Sequence, residues 1–276
     1  MSALRIAFNS LNQHKLRKLC LMTQSTAYKL IRKRKMETKK YRELLNRKAT
    51  KRNMVLAQNA VADPSDELPS EGKIWKATKH KDVSRSIHFF LWMMVHDSYK
   101  IGRYCDKISG SEQQGVCEKC GVTESMDHIM TKCTEPGQEQ VWGLASDLWK
   151  LKTGAELPKP TTAQIMACAA IKRRDAGTTR LFRILVSESA FLVWRLRNER
   201  VINKENPTSA RAIHNRWLKL INNRLGLDRA MTNEHKYGKR AVKKTLVLKT
   251  WCKVLKNEDD LPKDWTRETE VLVGIG

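Results

Sequence analysis

Residues 178–202 read TTRLFRILVSESAFLVWRLRNERVI. Leu181, Ile184, Leu185, Phe191, Leu192 and Leu196 recur at the three- and four-residue intervals that put side chains on one face of a helix. This is the most apolar long helical pattern in the chain, and it predicts a central helix. Similar patterns follow it: Ile213, Trp217, Leu220, Ile221 and Leu225 within 208–225, then Val247, Trp251, Val254 and Leu255 within 240–256. Before it, Pro158 and Pro160 mark a break, and Thr161 or Thr162 is placed to start a helix through Ile165, Met166 and Ala169. Further back, Val141, Trp142, Ala145, Leu148 and Trp149 share a face after Pro136-Gly137. From Val83 onward, Ile87, Phe90, Leu91, Met94, Val95 and Tyr99 do the same, with Ser84 or Asp82 placed to cap. Strand-like alternation is nearly absent. The expected fold is therefore mainly α: a helical, bundle-like domain. Trp142, Trp149, Trp217 and Trp251 fall on apolar faces and are expected in the core.

Composition divides the chain further. Residues 1–60 hold 16 Lys and Arg against only Glu37 and Glu43, a net +14. Apolar residues still recur there (Ala27, Leu30, Ile31, Tyr41, Leu44, Leu45), so 1–62 is expected to form a basic amphipathic helical region, with a break near Thr38. Residues 63–72, DPSDELPSEG, combine Pro64, Pro69, Gly72 and acids, and are expected to be a linker. The expected organisation is completed by a zinc-binding region at 73–152 and a C-terminal helical domain at 160–276.

The zinc expectation comes from CEKCGVTESMDHIMTKC, Cys117 to Cys133. Its spacing is C-x2-C-x7-H-x4-C. Zn²⁺ takes four thiolate or imidazole donors in a tetrahedron, and a C-x2-C pair presents two thiolates from one tight turn. Gly121 suits the positive φ such a turn favours. If 125–132 is helical, His128 and Cys133 lie on adjacent turns and converge on the same ion. Cys117, Cys120, His128 and Cys133 are thus expected to hold one structural zinc, with no open coordination position. The middle gap is longer than in the retroviral zinc knuckle. Cys20, Cys105, Cys168 and Cys252 are expected to be ordinary buried thiols, and His80, His88 and His96 supply at most a spare ligand. The N-terminal MSALRIAFNSLNQHKLRKLC lacks a secretory pattern, so a reducing compartment is expected, where clustered cysteines bind metal rather than form disulfides.

The stretch from Ile74 to Trp149 resembles the zinc-binding region that follows the polymerase in many non-LTR retrotransposons. The residues that carry the resemblance are Ile74 and Trp75, RSIHFFLWMMVHDSYKIG (Arg85 to Gly102), the cysteine–histidine cluster, and the W-x6-W pair Trp142 and Trp149. Four further stretches look like the tail of fungal retroelement polyproteins: AYKLIRKRK from Ala27, RILVSESAFLVWRLRNERVI from Arg183, IHNRWLKLINNRL from Ile213, and the segment from Leu246 to Ile275. The resemblance implies a separately encoded or remnant tail, with polymerase, ribonuclease H and endonuclease lying outside the chain, and a role in binding element RNA or target DNA beside a reverse transcriptase.

Charge points to the same partner. The net charge is +24, from 53 basic and 29 acidic residues, and nucleic-acid phosphate is the usual counterpart of such an excess. No apolar run approaches the ~20 residues of a membrane span, so no membrane partner is expected. Arg32, Lys33, Arg34, Lys35, Lys39, Lys40, Lys51 and Arg52 are the expected phosphate contacts for RNA or DNA, and the nucleus is favoured over the cytoplasm. No catalytic role is expected. Asp259-Asp260, the sole Asp-Asp pair, lies in a polar turn without flanking strands, and no Walker loop, G-x-S-x-G or H-E-x-x-H occurs. The rival expectations are a protein-interaction or oligomerisation module docking on a polymerase, and a decayed retroelement copy.

Overall fold

The structure, a computed structural model, describes residues 45–62, 68–135, 137–202 and 208–275, together with 23–25, 27, 28, 31, 34, 38 and 43. The chain divides into two units, Met1–Lys51 and Arg52–Gly276. The fold is mainly α, as expected. Among the described residues there is no strand, only the isolated antiparallel bridges Val116–Thr123 and Leu255–Val273. The helices are α1 (Lys48–Asn59), α2 (Glu71–Ala77), α3 (Arg85–Val95), α4 (Gln138–Thr153), α5 (Thr162–Met166), α6 (Ala176–Val201), α7 (Ala210–Met231), α8 (Glu234–Tyr237) and α9 (Lys244–Trp251).

α6 is the spine. Asp175 caps it, accepting from the Thr178 amide at 2.9 Å, and it is contacted by α3, α4, α5, α7 and α9. Leu181, Ile184, Leu185 and Val186 are fully buried, and so are Ser187 and Ser189 on its other sides. A helix buried on nearly all its faces must satisfy its polar groups internally. Ser189 does so by accepting the Trp217 indole N–H at 2.9 Å. All four tryptophans expected in the core are buried. The core is continuous from Met54 in α1 to Val273 near the C-terminus. In α1, Asn53 donates to the carbonyls of Met94 (3.2 Å) and Val95 (3.3 Å), closing the end of α3.

Local signals explain most boundaries. Thr161 forms a capping box with Gln164 at the start of α5, the arrangement in which each residue satisfies the other's free amide. Ser84 occupies the cap position of α3, but without a side-chain cap bond, and Asp82 is turned toward Arg180. α9 is shorter than the expected 240–256. Its end is fixed by Lys152, whose buried ammonium donates to the carbonyls of Lys249 (2.6 Å) and Cys252 (3.0 Å). Lys253 then leaves the helical region with a φ of 68°. A cation at a helix C-terminus satisfies free carbonyls and complements the dipole.

The deepest polar feature is an ion cluster around Arg180 of α6, which is 2% exposed. Its Nε donates to Asp82 at 2.9 Å, and its Nη atoms donate to both oxygens of Asp228, Nη2 at 2.7 Å. Asp228 also accepts the Trp251 indole N–H at 2.8 Å. Asp82 is met by Arg183 at 3.3 Å and by His80 at 3.2 Å, while its carbonyl accepts from Arg224 at 2.8 Å. Burial alone would raise the Asp82 carboxyl, but the His80 hydrogen bond and the charge of Arg180 outweigh it and hold the group well below the usual carboxylate range.

Removing the cation while leaving two buried carboxylates is the costly change. Arg180→Met is expected to destabilise by about 3–5 kcal/mol in urea unfolding, as for a broken buried pair. Arg52→Gln, which breaks an exposed 3.7 Å pair with Asp97, should cost under about 1 kcal/mol. Because the Asp82 pKa is depressed on folding, its contribution is complete above the unfolded carboxylate pKa near ~4 and is lost as pH falls toward the folded value. Asp82→Asn should therefore flatten the acid limb of the stability–pH curve.

Candidate metal centre and basic surface

The expected ligands come together. Side-chain donor atoms of Cys117, Cys120, His128 and Cys133 all lie within 4.8 Å of one another, and among the described residues no other group of this kind occurs. Cys117 Sγ stands 3.7 Å from Cys133 Sγ, and Cys120 Sγ stands 4.0 Å from it. Cys117, His128 and Cys133 are buried, and Cys120 is half-buried.

The first pair is built by a small hairpin. Cys117 N donates to the Val122 carbonyl at 2.9 Å and Gly121 N to the Cys117 carbonyl at 2.8 Å, with the Val116–Thr123 bridge closing the base. Gly121 has the positive φ read from the sequence, 66°. Gly102, at φ 56°, seats the hairpin: a Cβ there would come within 2.3 Å of the Glu124 carbonyl oxygen.

The second pair depends on a departure from the α-helix. Residues five apart on an α-helix are rotated by about 140°, pointing away from each other. His128–Lys132 instead forms a π-turn, closed by Cys133 N donating to the His128 carbonyl at 2.8 Å. The wider turn stacks residue five over residue zero, so Cys133 and His128 meet. Ser125 starts this turn by accepting the His128 amide at 3.1 Å. Asp127, the residue before it, is paired with Lys132 at 2.6 Å and accepts from Thr162 at 3.1 Å.

The donors fit a cation. His128 Nε2 is buried without a hydrogen-bond partner, a cost of about 1–3 kcal/mol that coordination removes. Burial pushes the Cys133 thiol up to about 12, whereas the Thr134 hydroxyl and amide lower the Cys120 thiol. A central cation stabilises the thiolate form of both.

The surrounding shell was not read from the sequence. The Trp142 indole N–H donates to the Met130 carbonyl inside the π-turn at 2.9 Å. Buried Arg197 of α6 holds Glu124, just before the turn, through Nε at 3.0 Å and also through Nη2, which reaches the Gln114 carbonyl at 3.3 Å as well. Arg200 pairs with Glu135, just after it, at 3.8 Å. The available signal was Arg197 and Arg200 near the end of an apolar helix, matched by Glu124 and Glu135 on either side of the π-turn. Other expectations resolve as follows. His88 is held on the His80 carbonyl at 2.9 Å, and His80 on Asp82, so neither reaches the cluster. Cys105 and Cys168 are buried, and burial raises the Cys168 thiol to about 12. Cys252 is only half-buried, a correction to its expected burial, because α9 ends there and its Sγ meets Lys152 at 2.8 Å. Cys20 lies outside the described residues.

Of the expected phosphate contacts, Arg34, Lys51 and Arg52 are exposed. Arg32, Lys33, Lys35, Lys39 and Lys40 lie outside the described residues, as do 63–67 of the expected linker. No described helix is long and apolar enough to cross a membrane. Comparison with protein-family models, curated proteins and solved structures returns no match to this chain.

Purified protein should carry one metal ion per chain by elemental analysis. His128→Ala and Cys133→Ser should each lose it, with a fall in melting temperature. Cys168→Ser, away from the cluster, should keep full metal content.

Proposed function

We propose that this chain is a non-catalytic, zinc-stabilised nucleic-acid-binding module. It would be of the kind expected in the tail of a non-LTR retrotransposon reverse transcriptase. The metal assigned is Zn²⁺. Three thiols and an imidazole are its preferred donors, and Zn–S bonds of ~2.3 Å give a tetrahedral S···S edge of about 3.8 Å. The 3.7 and 4.0 Å separations at Cys133 bracket that length. Four protein donors complete the tetrahedron, which supports a structural rather than a catalytic ion. Bound zinc would clamp the hairpin, whose Val116 and Val122 are exposed, to the π-turn, whose Ile129 and Met130 are buried in the core.

The observation that carries the nucleic-acid reading is the uncompensated charge of +24. Arg32, Lys33, Arg34, Lys35, Lys39, Lys40, Lys51 and Arg52 are assigned to phosphate. The Arg52–Asp97 pair is exposed and long at 3.7 Å, weak enough for Arg52 to exchange it for a phosphate. Such contacts give affinity without sequence readout. On this reading the partners are RNA or DNA, with a reverse transcriptase alongside, and the site of action is the nucleus.

The test is fluorescence anisotropy with a labelled RNA and a labelled DNA duplex across a salt series. Six to ten phosphate contacts predict a loss of about 10³-fold or more between ~50 and ~200 mM salt. Changing Arg32, Lys33, Arg34 and Lys35 to Gln should weaken binding uniformly across sequences. A flat salt response, with binding instead to a polymerase partner, would favour the protein-interaction reading. No binding of any kind would leave the decayed-copy reading.

A further inference from the structure

We infer that the cleft at the C-terminal end of α7 is a second contact for the phosphate backbone of nucleic acid, separate from the N-terminal basic run. This inference rests on the nucleic-acid reading above. The cleft has a volume of about 670 Å³ and is lined by Arg229, Glu234, His235, Lys244 and Arg267, with small or polar residues between them. That volume is within the ~300–1,000 Å³ of ligand sites, large enough for a nucleotide unit. No large apolar side chain lines it, so an apolar ligand would gain little burial there. Arg229 lines it from the last turn of α7.

The surroundings extend the charge beyond the cleft. The segment HKYGKRAVKK runs from His235 to Lys244, and Glu234 is the one acid between Arg229 and Lys249. Lys236, Lys239, Arg240 and Lys243 are exposed along it. Two carboxylates offset part of this set: Asp264, paired with Lys244 at 2.7 Å and accepting from Thr266 at 2.6 Å, and Glu234 in the lining. Arg229, Arg267, Lys236, Lys239, Arg240 and Lys243 remain in excess of them. α9 begins at Lys244 with no side-chain cap bond, but α7 ends at the same cleft, so the two helix dipoles oppose each other and the side-chain cations set its sign. A pocket for one phosphate, continued by a line of exposed cations, suits a polyanion better than a single free phosphate. Arginine and lysine at such a surface position the chain without reading bases.

The decisive variant changes exposed residues only, so that folding is spared: Lys239→Gln, Arg240→Gln, Lys243→Gln and Arg267→Gln together. Full-length wild type, this variant and the Arg32–Lys35 Gln variant would be compared on the same labelled RNA and DNA duplex. The C-terminal variant should bind about tenfold or more weakly and lose about 3 from the log–log salt slope, close to one per phosphate contact removed. Its melting temperature should match the wild type. Arg229→Gln alone should weaken binding in the same direction, and bound RNA should protect Lys239 and Lys243 from acetylation. Inorganic phosphate at millimolar concentration should compete only weakly; full competition would make the cleft a free-phosphate site and overturn the inference. Unchanged affinity and slope in the C-terminal variant, while the wild type binds, would overturn the inference and leave the function standing. Absence of binding by the wild type would overturn both.

Discussion

The guanidinium of Arg180 organises the rest of the molecule. It lies near the start of the central helix, and its two carboxylate partners come from Asp82, before α3, and Asp228, near the end of α7. Trp251 of α9 joins through Asp228. Four segments distant in sequence therefore converge on one planar cation. A guanidinium offers five donors in fixed directions, so it specifies the positions of its acceptors as well as their presence. The cluster is a weak source of net stability, since desolvation offsets most of the attraction. Its effect is on register. Apolar contacts along a helix tolerate a slip of one turn, about 5.4 Å. A slipped Arg180 would be buried without a counter-charge, and that penalty selects one packing.

The same helix carries the constraint to the metal loop. Arg197 lies about 25 Å further along it at ~1.5 Å per residue, and it holds Glu124 between the hairpin and the π-turn, while Arg200 holds Glu135 just after the turn. The indole of Trp142 pins the π-turn from the opposite side. The metal ligands are thus placed by α4 and α6 before any ion is considered. This order has a physical consequence. A loop positioned by its scaffold pays less conformational entropy on coordination than a free peptide does. A bound ion would then have to fix only the hairpin and its half-buried Cys120.

How much was legible follows from which forces leave a periodic trace. Apolar spacing does, and so the helices at 178–202 and 208–225 and the four core tryptophans could be read directly, and the cap at 162 was narrowed to Thr161 or Thr162, of which Thr161 is the one. The ligand set could also be read, because coordination chemistry restricts residue type and spacing. What could not be read are pairings between distant residues. Nothing local marks Arg180 as the partner of Asp82 and Asp228, or Lys152 as the cap of α9, which shortened the helix expected at 240–256. The π-turn was hidden for a related reason. His128-x4-Cys133 spacing only works if the helix widens, and the widening is decided by the hydrogen bond of Cys133 rather than by any residue preference in between.

Burial of charge also bears on what the surface can do. Among the described residues, the buried charged groups are Asp82, Glu124, Lys152, Arg180, Glu188, Arg197 and Asp228. Carboxylates outnumber cations in that set by only one, so burial moves almost no net charge and the positive excess stays outside the core. Burial even raises the Glu188 carboxyl, opposed by Arg224. The acids drawn inward are buried together with the arginines of α6 that they hold, so the ion pairs that define the packing leave the surface charge close to that of the whole chain. Packing and surface field therefore rest on different residues: the buried arginines of α6 set the first, and the exposed cations set the second.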